Sequence, residues 1–418
     1  MANKLKKSKV INDSSANGGT MDVVDVKNNA IENLFPHVTE EERTTGLLRY
    51  RKFFIKKETG DLVYAKLFLA YLSVGPDYYR IKEGTDTDTQ ADAVGYTDWA
   101  GAGEPVAALT STSGNTTPFE VTYDNPDGVY IGSKIIVLDR DTGSEKYLNV
   151  TNVSWVDNVA TITTDEDCGE AHDIKTQGAV EGTVAENFDV DGLTLVISIN
   201  GGADQIIDLE DDGRTAAQVV DQINAQLVGG TAYVHDTNKV GIETDYYYSD
   251  NSVKVQSDST ADTVLGLDNS IHYGTDGTVI STVLELGTIA AAHTAPVKSS
   301  ALGTIDESGN PIQDDDVGAV VDDWTITFTD DYGAFSCVGT LSGTLPPGDI
   351  SADYSPANEG GSYFTIPSAF WGGTWVTGDT LTFSTTPSSK GIWIEEIVLA
   401  LSPAYPNNRV AIALRGGS

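Results

Sequence analysis

The chain has 418 residues, 42 of them glycine, and a formal net charge of -37 from 25 Lys and Arg against 62 Asp and Glu. So acidic a surface repels phosphate backbones and anionic lipid, which excludes nucleic acid and membranes as expected partners. The length allows about two to four domains. The glycine-rich composition, with 21% charged residues, is typical of a turn-rich β protein.

The first 45 residues are polar and acidic apart from the stretch NAIENLFPHVTEEERTTG. We expect residues 1–45 to form an arm that docks on the rest of the chain and does not fold alone. The lysines near the start are not followed by an apolar run, so we expect neither a signal peptide nor a membrane span. Synthesis in the cytosol is the corresponding prediction.

Two strands are predicted next, in LLRYRKFFIKKETGDLVYAKLFLAYLSV, with a Thr-Gly-Asp turn between them. Arg49, Arg51 and Lys56 stand there among aromatic and aliphatic residues and form the main basic spot of an acidic molecule. Two interpretations are open at this point. The strands form a packed β-hairpin with snorkelling basic side chains, or the basic residues contact an acidic neighbour.

The middle of the chain predicts two inserted domains. Strands and tight turns alternate over 122–165, which indicates a small antiparallel barrel or sandwich within 105–186. The segment 187–275 contains the clearest helix, GRTAAQVVDQINAQL, in which apolar residues recur at three-and-four spacing. Strand patterns flank this helix on both sides. We therefore predict a small α+β domain in which the helix covers one sheet of about five strands.

Residues 276–418 again have the pattern of strands, and we expect them to complete a body that begins in 46–104. The predicted fold class is therefore mainly β: a multi-domain antiparallel sandwich or barrel body with an inserted small α+β domain. In the last predicted strand, RVAIALRGGS, Val410, Ile412 and Leu414 alternate with small or basic residues. Such a strand must pair with its own sheet or with a neighbouring subunit.

Patterns that would indicate chemistry are weak. The five histidines are scattered, and the chain has no serine-hydrolase elbow, phosphate-binding loop or dinucleotide fingerprint. The stretch NFDVDG begins like an EF-hand loop, but its twelfth position is Ser198 instead of glutamate. We therefore predict no catalytic, cofactor-binding or metal-binding residues. Tyr246, Tyr247 and Tyr248 are candidates for surface binding, or they belong to a strand with two covered faces.

Two sets of residues carry resemblances to known proteins. LTLVISINGGADQIIDL, the helix with Ile223-Asn224 and the ending Leu265-Gly266-Leu267 follow one another within 190–268. This order resembles the small inserted domain of flagellin and hook-associated proteins, which recurs in bacteriophage structural proteins. NLFPHVTEEERTTGLLRYRKFFIKK and YFTIPSAFWGGTWVTGDTLTFSTTPSSKGIWIEEIV resemble structural proteins from the head, neck and tail genes of tailed bacteriophages.

These resemblances imply a virion component assembled in the host cytoplasm. The implied function is that of a non-enzymatic structural protein of the neck or collar, tail or baseplate, whose partners are its own copies and other phage structural proteins. Arg49, Arg51, Lys56 and the strand Val410–Leu414 are then the expected interface. The alternative is a tail fibre or spike that binds a host surface or glycan, and a virion-associated polysaccharide hydrolase is a third hypothesis.

Overall fold

The structure is a computed structural model, and it describes residues 3–27, 34–58, 60–71, 77–107, 109, 118–123, 128–168, 174–247, 249–358, 360–403 and 410–417. The predicted fold class is confirmed, because the chain is mainly β and forms several antiparallel sheets, one of them a closed barrel. No helix within these ranges is long and apolar enough to cross a membrane.

The elements fall into four groups along the chain. The first contains β1 (Asn3–Val10), β2 (Gly18–Asp25), α1 (Glu40–Thr45), β3 (Leu47–Lys57), β4 (Leu62–Tyr71), β5 (Asp77–Glu83) and α2 (Gln90–Ala93). The second contains β6 (Ala102–Pro105), β7 (Phe119–Tyr123), β8 (Lys134–Asp139), β9 (Glu145–Val156) and β10 (Val159–Thr164). The third contains β11 (Gln177–Glu181), β12 (Thr194–Ile199), β13 (Gln205–Asp208), α3 (Ala216–Asn224), β14 (Gly230–His235), β15 (Lys239–Tyr247), β16 (Ser252–Val255), α4 (Asp262–Leu265) and β17 (Ile271–Tyr273).

The fourth group is almost entirely strand. It contains β18 (Thr278–Ile289), β19 (Ala292–His293), β20 (Val297–Lys298), β21 (Gly303–Ile305), β22 (Asp322–Phe328), β23 (Ala334–Gly339), β24 (Gly343–Asp349), β25 (Ala357–Asn358), β26 (Gly361–Ser362), a 3-10 helix (Ser368–Phe370), β27 (Trp371–Gly373), β28 (Thr380–Thr386), β29 (Ser389–Val398) and β30 (Ala411–Gly417). The chain divides into two compact units, which we call the body unit (1–101 and 283–418) and the inserted unit (102–282).

A five-stranded antiparallel sheet in the order β2-β1-β3-β29-β5 lies in the body unit. The expected arm supplies two of its strands, β1 and β2. The two strands predicted around the Thr-Gly-Asp turn form, but they do not pair as a hairpin. β3 pairs with β1 and β29, whereas β4 pairs with β18 and β30 in another sheet. A turn sequence directs the chain locally and does not specify which distant strand becomes the partner.

The second large sheet of the body unit contains β19, β28, β22, β23 and β24 in that order, with β20 also paired to β28. The predicted alternation in β22 is confirmed, because Trp324, Ile326 and Phe328 are all buried. They join an aromatic core to which Trp371 and Trp375 also belong, with the rings of Phe328 and Trp375 stacked at 4.6 Å. The tryptophan pair thus packs into the core.

In the inserted unit, six strands close a barrel in the order β18-β6-β7-β10-β9-β8, with β8 returning to β18. The barrel core is built from inward-facing residues of these strands, among them Val121, Ile135, Leu148 and Ile162. Alternate residues of β10 are buried, as a strand with one face on a core requires.

The α+β part of the inserted unit contains two sheets, not the single sheet of about five strands that was predicted. One has the order β11-β15-β14 and the other β13-β12-β16-β17. The predicted helix is confirmed as α3, which begins with a capping box between Thr215 and Gln218 and buries its apolar face. Residues of α3 and of both sheets share one core. Alternation shows which face of a strand is buried, but it does not show to which of two sheets the strand belongs.

Candidate functional site

The basic residues of β3 lie inside the body unit, where acidic groups of the same chain pair with them. The buried guanidinium of Arg49 donates to Glu396 at 3.1 Å and to Glu42 at 2.6 Å. Arg51 is also buried and forms an ion pair with Asp13 at 2.7 Å. Glu42 and Asp13 belong to the N-terminal 45 residues. The basic spot therefore fastens this segment to the sheet.

Lys56 is the third basic residue that was predicted to contact a neighbour. It is buried, and its ammonium donates to the carbonyl oxygen of Val317 at 2.7 Å. Contact between another subunit and Arg49, Arg51 or Lys56 stays a prediction. In this structure all three side chains join distant segments of their own chain, so free charge is no longer a reason to place an interface there.

The acidic partners on β29 were missed by the sequence reasoning. Glu395 and Glu396 are buried and stand opposite Tyr50 and Arg49 in the antiparallel register. Burial raises the pKa of Glu396, against the opposing effect of hydrogen bonds from Tyr79 and Arg49. A signal was present in the sequence. RYRK and IEEI each interrupt an otherwise apolar strand, and two such strands of opposite charge are suited to pair centrally in a sheet.

The predicted C-terminal strand forms as β30, and its sheet partner is β4. Ile412 stands opposite Leu69, and Leu414 stands opposite Leu67. Val410, Ile412 and Leu414 are each half-buried. The expectation that this strand pairs with its own sheet is confirmed. β30 is the outermost strand, and on its other side none of the described residues forms a strand.

Among the described residues, the outer edge of β30 differs from that of β24 in its sequence. The edge strand β24 carries Pro346 and Pro347, and proline cannot donate a ladder hydrogen bond to an added strand. Register shifts interrupt the ladder between the edge strand β2 and β1, and they also interrupt the ladder between β30 and β4. β30 has the sequence AIALRGG, without proline and with its first four residues uncharged. Its outer edge, to which no strand of the described residues pairs, is chemically able to accept another strand.

The tyrosines proposed for surface binding lie on or beside β15. Tyr246 is half-buried and Tyr247 is exposed, with the Lys175 ammonium 4.9 Å from the centre of its ring. Tyr248 lies outside the described residues. β15 pairs with β11, and a groove of about 580 Å³ runs along β11. Its lining is mostly polar and comprises Thr176, Gln177, Ala179, Glu181, Asp268, Ile271, His272 and Tyr273.

Polar groups of other types that could carry chemistry have structural contacts. Within the described ranges, no three His, Cys, Asp or Glu side chains are arranged to hold a metal ion. His293 contacts two carboxylates, Glu307 at 2.7 Å and Asp314 at 2.9 Å. Cys168 and Cys337 are buried and are not joined in a disulfide. Burial raises the pKa of Cys337 to about 12, so this thiol stays protonated at neutral pH.

The comparisons with known proteins yield no relative. The chain matches no protein-family model, no curated protein and no solved structure. Its function is therefore inferred from its own residues and geometry.

Proposed function

We propose that the chain is a non-enzymatic structural subunit of a tailed-bacteriophage particle, in its neck or collar, tail or baseplate, and that it assembles with copies of itself. The observation that carries the proposal is the outer edge of β30, to which no strand of the described residues pairs. A free edge of this kind templates pairing with another chain. The resemblance of the two outer sequence stretches to phage structural proteins supports the placement in a particle.

The distribution of charge supports a contact through the body unit. The body unit contains 18 Lys and Arg against 31 Asp and Glu, whereas the inserted unit contains 7 against 31. Two copies that met through their inserted units would bring like charges together, which is costly. A contact at β4 and β30 brings fewer like charges together, because both strands lie in the body unit. Other phage structural proteins are the further partners we propose, at surfaces that this chain does not identify.

Two proline variants of β30 test the proposal, with the full chain measured by light scattering over a range of concentrations. In an antiparallel strand, consecutive N–H groups point to opposite sides. Of Ile412→Pro and Ala413→Pro, one therefore removes a hydrogen bond to β4 and the other removes a donor from the open edge. The variant that removes only the donor on the outer edge is expected to keep the wild-type melting temperature and to lose self-association.

The variant that melts at a lower temperature is the matched control, because it damages the strand itself. A wild-type chain that stays monomeric at every concentration would overturn the proposal of self-assembly. If the variant that keeps wild-type stability still assembles as the wild type does, the interface does not lie at β30.

Binding of a host-surface glycan is the second candidate function, and the groove along β11 favours it. The exposed Tyr273 and the polar side chains of Gln177 and Glu181 offer a ring face and hydrogen-bonding groups beside each other. Labelled full-length chain on an array of neutral and amino-sugar oligosaccharides tests it. Binding that is lost in Tyr273→Ala and kept in Tyr332→Ala supports this function, and no binding to any sugar on the array counts against it.

A further inference from the structure

A buried ion pair in the body unit joins β3 to the segment that follows β5. Lys52 and Asp88 are both buried, and Nζ of the lysine donates to Oδ1 of the aspartate at 2.5 Å. The same Nζ also donates to the carbonyl oxygen of Gly19 at 2.8 Å. Asp88 lies just before α2, 36 residues further along the chain than Lys52. An amine and a carboxyl group in contact are the two reactants of an amide bond.

The other oxygen of this carboxyl group, Oδ2, accepts two hydrogen bonds. The indole N–H of Trp393 donates to it at 2.8 Å, and the hydroxyl group of Tyr96 donates to it as well. Attack of an amine on the carboxyl carbon of Asp88 would place negative charge on this oxygen. Two donors fixed at that position stabilise such a charge, as the donors of an oxyanion hole do. One oxygen of Asp88 therefore faces the amine, and the other faces the donors.

The surrounding backbone packs closely against both members of the pair. A Cβ atom on Gly84 would lie 2.5 Å from Oδ2 of Asp88. A Cβ atom on Gly391 would lie 2.9 Å from Cε of Lys52, and the ring centre of Phe54 lies 4.8 Å from Nζ. Such packing holds the two groups in one arrangement and keeps water out. Groups held in this way react at a high effective concentration.

Burial also favours the uncharged amine, which is the nucleophilic form of lysine. It lowers the pKa of Lys52, although the hydrogen bond and the charge of Asp88 oppose that effect. A second carboxyl group, that of Asp86, interacts electrostatically with both members of the pair, and burial raises its pKa. A carboxyl group with a raised pKa is suited to carry the protons that amide formation moves.

We infer that Lys52 and Asp88 condense into an isopeptide bond, a covalent cross-link within the body unit. Nζ attacks Cγ of Asp88 and forms the new C–N bond. The bond between Cγ and Oδ1 breaks, and Oδ1 leaves as water with two protons that the ammonium group has given up. Nothing is oxidised or reduced, and the reaction needs no co-reactant. The structure shows the two groups in contact before this bond forms.

The cross-link would tie together elements on both sides of a central strand. β29 lies between β3 and β5 in the five-stranded sheet, with Trp393 of β29 opposite Lys52 in the register. A bond from Lys52 to Asp88 closes a covalent loop around this part of the sheet. Loop closure restricts the unfolded chain, as a disulfide does. Unlike a disulfide, an amide bond withstands the reducing conditions of the cytosol.

The intact mass of the purified full-length chain, measured by mass spectrometry after denaturation, tests the inference. The wild type is expected to be lighter than its sequence by the mass of one water molecule. Lys52→Arg keeps the positive charge but replaces the amine with a guanidinium group, so this variant should have its full sequence mass. Lys146→Arg is the matched control, because Lys146 pairs with Glu166 in an exposed contact, and it should lose water as the wild type does.

Digestion of the wild type with trypsin locates the bond. Trypsin cuts after unmodified Lys and Arg, so the expected product is a branched peptide that joins residues 52–56 to residues 83–134. This peptide identifies the cross-link even if Lys52→Arg does not fold.

Two results would overturn the inference: a wild-type chain with its full sequence mass, or a loss of water that persists in Lys52→Arg. The inference goes beyond the proposed function and does not depend on it. Self-association is measured by light scattering and the cross-link by mass, so the failure of one proposal is distinguishable from the failure of the other.

Discussion

Lys52 illustrates how single residues hold the body unit together. It is fully buried on β3, and its ammonium donates to the Asp88 carboxylate at 2.5 Å and to the carbonyl of Gly19 at 2.8 Å. Asp88 also accepts hydrogen bonds from the indole of Trp393 at 2.8 Å and from the hydroxyl of Tyr96. Burial lowers the pKa of Lys52, and Asp88 opposes that effect. Removal of one partner would leave the other charge buried and unpaired.

Lys52→Met is therefore expected to lower the free energy of unfolding by about 3–5 kcal/mol, the usual cost of breaking a buried ion pair from one side. Urea denaturation monitored by tryptophan fluorescence measures this change. Lys146→Met is the control, because Lys146 and Glu166 form an exposed pair worth less than about 1 kcal/mol. Equal decreases in the free energy of unfolding for the two variants would show that the buried ion pair contributes no more than the exposed pair.

His293 makes the stability of the body unit depend on pH. Partial burial opposes its charged form, but hydrogen bonds to Glu307 and Asp314 outweigh burial and raise the pKa of His293 above its ordinary value of 6.5. A raised pKa in the folded state means that the charged form stabilises folding. The stabilisation is fully present below the unfolded value of 6.5 and is lost as pH rises through the folded pKa.

The difference in unfolding free energy between the wild type and His293→Gln should therefore be largest at about pH 6, just below the unfolded pKa, and shrink progressively at higher pH. Denaturation of both proteins across that pH series gives the difference directly. A difference that is constant with pH would mean that the histidine acts through packing or uncharged hydrogen bonds.

At the scale of elements, the end of β30 packs closely against Leu62 and Val63 at the start of β4. A Cβ atom added to Gly416 would lie 2.7 Å from Leu62 Cδ1 and 3.2 Å from the carbonyl oxygen of Val63. Only glycine lets the end of β30 lie against the start of β4 at this separation.

Gly416→Val should displace the end of β30 and cost about 1–3 kcal/mol, as overpacking of a well-packed site does. Amide hydrogen exchange over 411–417 should accelerate in this variant while exchange over α3 stays unchanged. Gly95→Val is a suitable control, since a Cβ there would meet only the carbonyl oxygen of Asp92, at 3.5 Å. Unchanged exchange over 411–417 would contradict the tight docking of β30.

Elements with a local pattern could be predicted from the sequence, and long-range pairings could not. The spacing of Val219, Val220 and Ile223 identified α3, because helix periodicity is a property of neighbouring residues. The separation of β3 from β4 was missed, since the partner of β3 is β29, far along the chain. At the candidate site, the pattern of Ile412 and Leu414 revealed a strand but not its register shifts against β4. A register shift depends on both partners, which one strand's sequence does not contain.

At the scale of the whole molecule, the excess of acidic residues belongs almost entirely to residues 102–418. This asymmetry makes self-association dependent on salt in a specific direction. Copies that assemble through a nearly neutral contact still repel one another through their acidic parts, and salt screens that repulsion. The Debye length falls from about 30 Å at 0.01 M to about 8 Å at 0.15 M ionic strength.

The association constant of the full chain should therefore rise as sodium chloride increases over this range. Sedimentation velocity at several protein concentrations measures the change. An interface built on pairs of opposite charge would show the reverse trend, weakening with added salt. That result would indicate that charged residues form the contact surface.

Hydrogen exchange of the β30 amides shows whether copies of the chain meet at this edge. The full chain would be compared under dilute and assembled conditions, with peptides covering 411–417 and 216–224 followed by mass spectrometry. We predict that the 411–417 segment gains protection on assembly, because its outward N–H groups acquire partners, while the α3 segment is unchanged. An assembled state in which 411–417 exchanges as it does in the monomer would contradict the claim that copies meet at this edge.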